Sequence, residues 1–312
     1  LNTKRTKTYK NDGEMSGEQK GNRFVVETLS GFNIEGLSIG GQETSIIFPQ
    51  LKLCFDSGRC YQRCVYADTM CLTHTHMDHV GGLGMYIASR NLLSLPPPTI
   101  LVPESKIEAI SKFIDALKVL DHSDLPHEMI PFAPTAETCY PMKNKNYKIK
   151  AFKTVHPIAS QGYLILSTKQ KLKDKYLTLK GSEIKALKMD GVEITDTVDV
   201  PEILFTGDTT MDFLHSTPQE IIREGLRSNL ICLECTFVND DVSPADAKRF
   251  GHTHVRDIAE NAEHFRECKS ILLIHFSARY TRDEIREGLR NQLAESHAWL
   301  YAKITPMLAG YE

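Results

Sequence analysis

No stretch of this 312-residue sequence approaches the ~20 consecutive apolar residues of a membrane-spanning helix. Nothing near the N-terminus has the apolar segment of a secretory signal peptide. Charge of one sign is not in excess: 37 basic residues face 40 acidic ones, a formal net charge of −3. By itself that balance argues against a chain held to nucleic acid by bulk charge. Regular spacing is missing from the eight cysteines, Cys54, Cys60, Cys64, Cys71, Cys139, Cys232, Cys235 and Cys268. Cys60/Cys64 and Cys232/Cys235 invite a zinc reading. Yet "ICLECTF" reads as a buried strand running into a loop, where a thiol is simply a small apolar side chain. Thiols without a secretory signal fit a reducing compartment. No internal repeat is visible.

What is present is ordinary globular composition, 41% hydrophobic and 25% charged, long enough for one large domain or two small ones. Its core needs no disulfide. Residues 1–23 carry six basic and three acidic residues and almost nothing apolar, so a disordered, solvated tail is expected there. The chain starts at Leu1 rather than Met, so a leader is expected to be missing. The stump of a transit peptide or a nuclear-type basic patch are the alternatives for the tail.

From residue 32 onward short strands and helices alternate. Residues 32–58 read as strands joined by tight turns at Gly40-Gly41 and Pro49-Gln50. Helices are expected over 82–93, 104–120, 217–225, about 253–266 and 282–294. Several apolar strands end in a candidate ligand: "MCLT" before His74, "YKIKAFKTVH" at His156, "EILFTGD" at Asp208 and "ILLIHF" around His275. Ligands at strand ends converge on one rim of a sheet layer. One polar residue closing a strand is unremarkable; four are not.

"THTHMDHVGG" (73–82) concentrates the chemistry. In an extended segment His74 and His76 share a face, and Asp78 and His79 follow at a turn toward a helix. Imidazole and carboxylate suit Zn²⁺, with Mn²⁺ as the alternative these ligand types also accept. The cluster offers four side chains and the distant strand ends add three. Seven exceed one tetrahedral ion and suit two ions sharing a bridge. Asp208 is the candidate bridge, because Asp78 is tied to the local cluster.

These motifs resemble those of a known family. "THTHMDHVGG" looks like the HxHxDH signature of the metallo-β-lactamase fold, an αββα four-layer sandwich of two mixed sheets with helices outside. "TGDT", the isolated His156, "LECTF", "GHTH" and "LIHFSARY" then follow in the order of tRNase Z, closest to its short, plant-like form. HxHxDH alone is blind to substrate; the later motifs narrow it. The resemblance spans roughly residues 32–312, with the catalytic domain taken as 24–312. It implies two Zn²⁺ per chain. His74, His76 and His156 would hold one, and Asp78, His79 and His275 the other, with Asp208 between them. It further implies an endoribonuclease that removes the 3′ trailer of precursor tRNA, with a metal-activated water attacking phosphorus and a 3′-OH left on the tRNA. Asp78 would orient that water or take its proton. His252 would be the general acid and Glu234 would hold its imidazole. The bland alternatives are a strand-end carboxylate for Glu234 and a helix-start residue for His252. His254 is expected to touch RNA or solvent. His122, His127, His215, His264 and His297 lie outside every motif.

Arg279 and Ser277 are candidate phosphate contacts, against an arginine that merely anchors its loop. Gly81 and Gly82 either bring backbone N–H groups to a phosphate or only permit the turn. Residues 169–188 hold seven lysines against Asp174 and Glu183, a local +5. Lys169, Lys171, Lys173 and Lys175 are therefore candidate RNA contacts on an arm inserted at about 164–200, expected to project from the ligand-bearing rim. Many family members carry a PxKxRN-type loop; none is found here, and residues 56–64, with Arg59 and Arg63, stand in that region. The expected partners are precursor tRNA and a second copy of the chain, with neither membrane nor DNA. The expected compartment is cytoplasm or nucleus, with the chloroplast as alternative. Competing readings are a small-molecule hydrolase of the same fold (cyclic-nucleotide phosphodiesterase, thioesterase or lactonase) and a non-catalytic RNA-binding relative.

Overall fold

The computed structural model describes residues 25–312; the tail expected at 1–23 lies outside them. Seven strands run in order across the first sheet: β1 (Val25–Leu29), β2 (Phe32–Gly40), β3 (Glu43–Phe48), β4 (Leu53–Phe55), β5 (Thr69–Cys71), β6 (Thr99–Pro103) and β7 (Glu128–Phe132). The second sheet has the order β15-β13-β12-β11-β10-β9-β8. Its members are β8 (Tyr140–Pro141), β9 (Tyr147–Lys153), β10 (Gln161–Leu172), β11 (Thr195–Phe205), β12 (Leu230–Glu234), β13 (Ser270–Ile274) and β15 (Ile304–Pro306). Between β13 and β15 the chain crosses to the first sheet, where β14 (Phe276–Ser277) pairs parallel to β2. Both sheets are mixed. The strand-by-strand pairing is antiparallel on one side (β1–β4, β8–β11) and parallel on the other.

Side-chain alternation builds the layers. Leu230 and Cys232 of β12 point between the sheets with Phe48, Phe55, Tyr163 and Phe205. Ile231 and Leu233 point the other way, against an outer layer. Strands buried on both faces are apolar throughout, which is why "LICL" and "ILLI" lack alternation. Phe55 of one sheet stacks on Phe205 of the other with centroids 4.2 Å apart. Nine helices occur among the described residues: α1 (Met77–Val80), α2 (Leu83–Leu92), α3 (Ile107–Asp121), α4 (Gly181–Met189), α5 (Gln219–Gly225), α6 (Pro244–Phe250), α7 (Val255–Glu260), α8 (Arg282–Leu289) and α9 (Ala298–Tyr301). Leu83, Tyr86, Ile87, Ile110 and Ile114 seat α2 and α3 on the outside of the first sheet. Ile221, Ile258, Ile285 and Leu289 seat α5, α7 and α8 on the second. The αββα sandwich is the observed fold. The single helix expected over 253–266 is broken at Asn261, whose side chain donates to the Asp257 carbonyl and starts a tighter turn at Ala262–Phe265.

The inserted hairpin does not leave the ligand-bearing rim. β10 begins there, its Gln161 N–H donating to the Thr73 carbonyl, and runs away from it. Beyond the Ser167–Tyr147 pair β10 keeps only β11 as a neighbour, with Leu172 opposite Thr195. At ~3.3 Å per residue the seven positions from Gln161 to Ser167 carry the chain about 20 Å off before the hairpin emerges. The expected projection is therefore corrected: the hairpin, with α4 at its tip, extends from the opposite rim. A hairpin inserted between two ligands leaves the ligand rim only if its strands do not first cross the sheet.

Candidate metal centre and active site

Every ligand predicted from the sequence lies at one rim. His74, His76, Asp78 and His79 follow β5, His156 follows β9, Asp208 follows β11 and His275 follows β13. Glycine is required more than once in this frame: at Gly251, with φ +83°, a Cβ would meet Pro157 Cδ at 2.1 Å. Gly207 has φ +61°, and a Cβ there would meet the Thr73 side chain at 2.7 Å. Asp56 and His275 adopt φ +57° and +63° without being glycine. Such strain persists where surrounding bonds over-determine the conformation, as at functional sites.

The two expected triads are both present as groups whose ligand atoms lie within 4.8 Å of one another: His74/His76/His156 and Asp78/His79/His275. In the first, His76 Nδ1 lies 3.1 Å from both His74 Nε2 and His156 Nε2. In the second, His275 Nε2 is 3.5 Å from Asp78 Oδ2 and His79 Nε2 is 3.6 Å from it. Asp208 faces both groups, Oδ1 at 3.3 Å from His79 and Oδ2 at 3.7 Å from His74 and 3.3 Å from His275. That is the placement a bridging carboxylate needs.

The donor set fits divalent metal. The Nε2 atoms of His79 and His275 are buried without a hydrogen-bond partner, a costly state unless something binds there. Their other nitrogens are held: His79 Nδ1 by Asp56 at 2.8 Å, His275 Nδ1 by the Thr236 hydroxyl at 3.2 Å. His156 Nδ1 donates to the Gly251 carbonyl at 2.9 Å, which turns Nε2 toward the cluster. Fixing the outer nitrogen is how a protein orients a ligating imidazole. Burial keeps the His74 pKa well below its ordinary value, so it stays neutral. Burial alone would raise the Asp208 carboxyl; the facing His275 and His79 outweigh it and hold it well below its ordinary value.

Beside the cluster, Glu234 is fully buried and fully engaged. Its Oε1 accepts from His252 Nδ1 at 2.5 Å and from the Thr236 hydroxyl at 2.5 Å; its Oε2 accepts from the Thr209 N–H at 2.6 Å. Burial alone would lower the His252 pKa, but the Glu234 carboxylate and its hydrogen bond raise it to about 9. His252 also has a ring nitrogen within 4.8 Å of His156 and Asp208. Asp78 accepts from the Gly41 N–H at 3.0 Å.

Other expectations change. His254 is fully buried, not in contact with solvent. Its Nδ1 caps α7 by accepting from the Arg256 N–H at 3.1 Å, and its Nε2 contacts the Asn239 carbonyl at 2.9 Å. The N–H groups of Gly81 and Gly82 are consumed by Met77 and Ser57 carbonyls, so these glycines serve the turn. Arg279 donates to Ser277 Oγ at 3.1 Å, and its guanidinium lies 5.8 Å from the Phe237 ring centroid. Arg59 and Arg63 are paired with Glu43 and Glu35.

The lysines sit on the far hairpin. Lys169 pairs with Glu202 at 2.6 Å, Lys173 with Glu193 at 3.2 Å, and Lys171 more loosely with Asp174 at 3.6 Å. Lys175 lies over the Tyr176 ring. The returning strand explains the pairings: residues 169–202 hold seven lysines and seven acids, so the local +5 of 169–188 is cancelled across the hairpin. Among the described residues, Lys175, Lys180, Lys185 and Lys188 are exposed and have no carboxylate within 4 Å.

Sequence reasoning passed over Asp56, Thr73, Thr209, Thr236 and the Gly251 carbonyl. Asp56 accepts from the Thr73 N–H and hydroxyl, each at 2.8 Å, as well as from His79. One signal was there: "THTH", "TGDT", "ECTF" and "GHTH" each carry a threonine within two positions of the ligand or catalytic candidate.

The chain is 48% identical over 261 residues to tRNase Z TRZ1 of Arabidopsis thaliana, covering 84% of this chain and 91% of that one. The chain belongs to the tRNase Z family. A second relative from that organism, tRNase Z TRZ2, chloroplastic, is 42% identical over 290 residues, 93% of this chain and 78% of its own. Among solved structures, the metallo-β-lactamase fold protein YhfI of Bacillus subtilis aligns with a TM-score of 0.56 at 16% identity, covering 88% of this chain and 95% of that one. That likeness shows the fold. No family model matches the chain.

Proposed function

We propose that this tRNase Z family member is an endoribonuclease that removes the 3′ trailer of precursor tRNA and leaves a 3′-OH, with two Zn²⁺ ions as its metals and Mn²⁺ as the alternative. The observation that carries the reading is the Glu234–His252 pair at the edge of a seven-ligand cluster. His74, His76 and His156 would hold one ion, Asp78, His79 and His275 the other, and Asp208 both. When bound, such ions polarise the phosphate and bring the pKa of water near neutrality. The chain's own groups do the rest. His252, protonated at neutral pH by virtue of Glu234, hands its proton to the departing 3′ oxygen. Glu234 fixes the ring through Nδ1, leaving Nε2 for that task. Asp78, anchored by the Gly41 N–H, orients the attacking water and accepts its proton. Arg279 and Ser277, exposed and half-buried just beyond His275, face the phosphate backbone.

The hairpin at about 164–200 is the RNA-binding arm in this reading. Its four unpaired lysines, rather than Lys169 and Lys173, are its phosphate contacts. Because the arm leaves the rim opposite the site, it serves the site of a second copy. Helices α2 and α3 leave Met85, Leu92, Leu93, Val119 and Leu120 more than half exposed. That apolar surface is the face we assign to the homodimer. No helix among the described residues is long and apolar enough to cross a membrane. The compartment is read as cytoplasm or nucleus, with the chloroplast, where TRZ2 is named to reside, as alternative.

The deciding assay sets a 3′-extended precursor tRNA beside bis(p-nitrophenyl) phosphate, with the wild type and a chain lacking residues 169–188. Loss of precursor cleavage with the small ester still hydrolysed is the expected result. A wild type that ignores the precursor but cleaves a lactone or thioester sinks the reading in favour of a small-molecule hydrolase.

A further inference from the structure

Beside His252 lies an aromatic surface that the chemistry above leaves unused. Phe250 ends α6 and is 45% exposed, the one phenylalanine among the exposed large apolar side chains of the described residues. It is not a loose side chain at a remote helix end. Gly251 follows it with φ +83°, and the carbonyl of Gly251 holds His156. The N–H of His252 is tied back to Ala247 of the same helix at 2.9 Å. Phe250, the His156 anchor and His252 are thus three consecutive positions on one braced turn.

Phe237 stands between them. It is buried, and its ring centroid lies 6.3 Å from Phe250 and 6.3 Å from the His252 ring. Two guanidinium groups border the pair: Arg249 at 5.0 Å from the Phe250 centroid and Arg279 at 5.8 Å from that of Phe237. Arg249 is also paired with Asp246, whereas Arg279 has no carboxylate within 4 Å among the described residues. An exposed ring backed by a buried ring and flanked by cations suits a stacked base next to a phosphate.

We propose that Phe250, supported by Phe237, is the stacking platform for the base of the nucleotide immediately 5′ of the cut, the one whose 3′ oxygen leaves. The inference rests on the tRNA-trimming reading, in which His252 protonates that oxygen. A nucleotide's base and its 3′ oxygen are separated by one ribose. A platform two residues from the proton donor therefore meets the base of that nucleotide. Stacking is indifferent to base identity, since every base presents a π-face, so this subsite accepts any residue before the cut. Arg279 neutralises the adjoining phosphate.

The test is a cycle between protein and substrate. Wild type, Phe250→Ala and Phe250→Trp are each given precursor tRNA with an intact nucleotide before the cut, and the same RNA abasic at that position. Wild type is expected to lose about tenfold in kcat/KM on the abasic RNA, the scale of one base–aromatic stack. Phe250→Ala is expected to be slower by a similar factor on intact RNA and indifferent to removal of the base. Phe250→Trp is expected to restore the dependence. If Phe250→Ala slows both RNAs equally, the ring only supports the fold and the proposal fails; if it slows neither, the base sits elsewhere and the proposal also fails. Failure of the wild type to cut intact precursor overturns the tRNA reading itself, a result distinguishable from either.

Discussion

At the scale of single residues, the outer hydrogen bonds matter as much as the ligands. His79 can offer Nε2 to an ion only while Nδ1 is held, and Asp56 holds it from a fully buried position. Asp56 also fixes Thr73, the residue before His74, so one carboxylate positions candidate ligands of both triads. Asp56→Asn keeps the volume but replaces one acceptor oxygen by a donor facing a donor. Metal affinity is expected to drop about 10–100-fold, the usual cost of losing such a partner, with the fold retained. Competition against a chromophoric chelator measures it, and unchanged retention of metal would show that Asp56 has no such role. This residue also marks where sequence reading stops. His74, His156, Asp208 and His275 were legible as candidates because a polar side chain closing an apolar strand is anomalous. Asp56 closes "LCFD" in the same way, but without partners within reach in sequence its role is set by a contact 23 residues away.

At the scale of elements, β12 and β13 were legible as unbroken apolar runs, because they are buried on both faces, and α3 by its helical period, because it is buried on one. The hairpin was legible as an insertion but not in its direction or charge. Direction depends on where β10 starts, a fact of sheet pairing. Charge depends on β11 returning three acids, Asp196, Asp199 and Glu202, opposite the lysines. One of them, Glu202, forms the hairpin's root. Its carboxylate accepts from Ser167 at 2.5 Å, Lys169 at 2.6 Å and Asn229 at 2.5 Å. Burial alone would raise its pKa; the hydrogen bonds from Lys169, Ser167 and Asn229 outweigh it and hold the pKa below the ordinary 4.5. A carboxyl depressed in the folded state contributes stability that is complete above its unfolded pKa and is lost as pH falls through the folded one. Glu202→Gln should therefore cost about 1–3 kcal/mol at pH 7 and flatten the fall in stability below pH 4.5. Urea midpoints at pH 7 and across the acid range check both. A parallel shift of the whole curve would place the acid sensitivity elsewhere.

At the scale of the molecule, the arm and the metal centre of one chain occupy opposite rims of the second sheet, about 20 Å apart along β10 before the arm begins. A tRNA gripped by the arm reaches the same chain's site only by running back along the sheet. In a dimer built on the apolar α2–α3 face, the arm of one copy can present RNA to the other copy. The two arrangements make opposite predictions for a mixture. A chain lacking residues 169–188 keeps its site but has no arm, and His252→Ala keeps its arm but lacks the imidazole proposed as proton donor. Each alone is expected to cut precursor tRNA at least about 100-fold more slowly than wild type, the size of a lost general acid for the second. Mixed and allowed to exchange subunits, they should regain cleavage through hybrids in which the intact arm serves the intact site across the interface. Leu92→Glu with Leu120→Glu in both chains places charge on the apolar face and should abolish that rescue while shifting the protein to monomer in sedimentation. A mixture that stays inactive although hybrids form would mean that each arm feeds its own site. The arm's departure from the far rim would then have to be offset by an RNA path along the sheet edge.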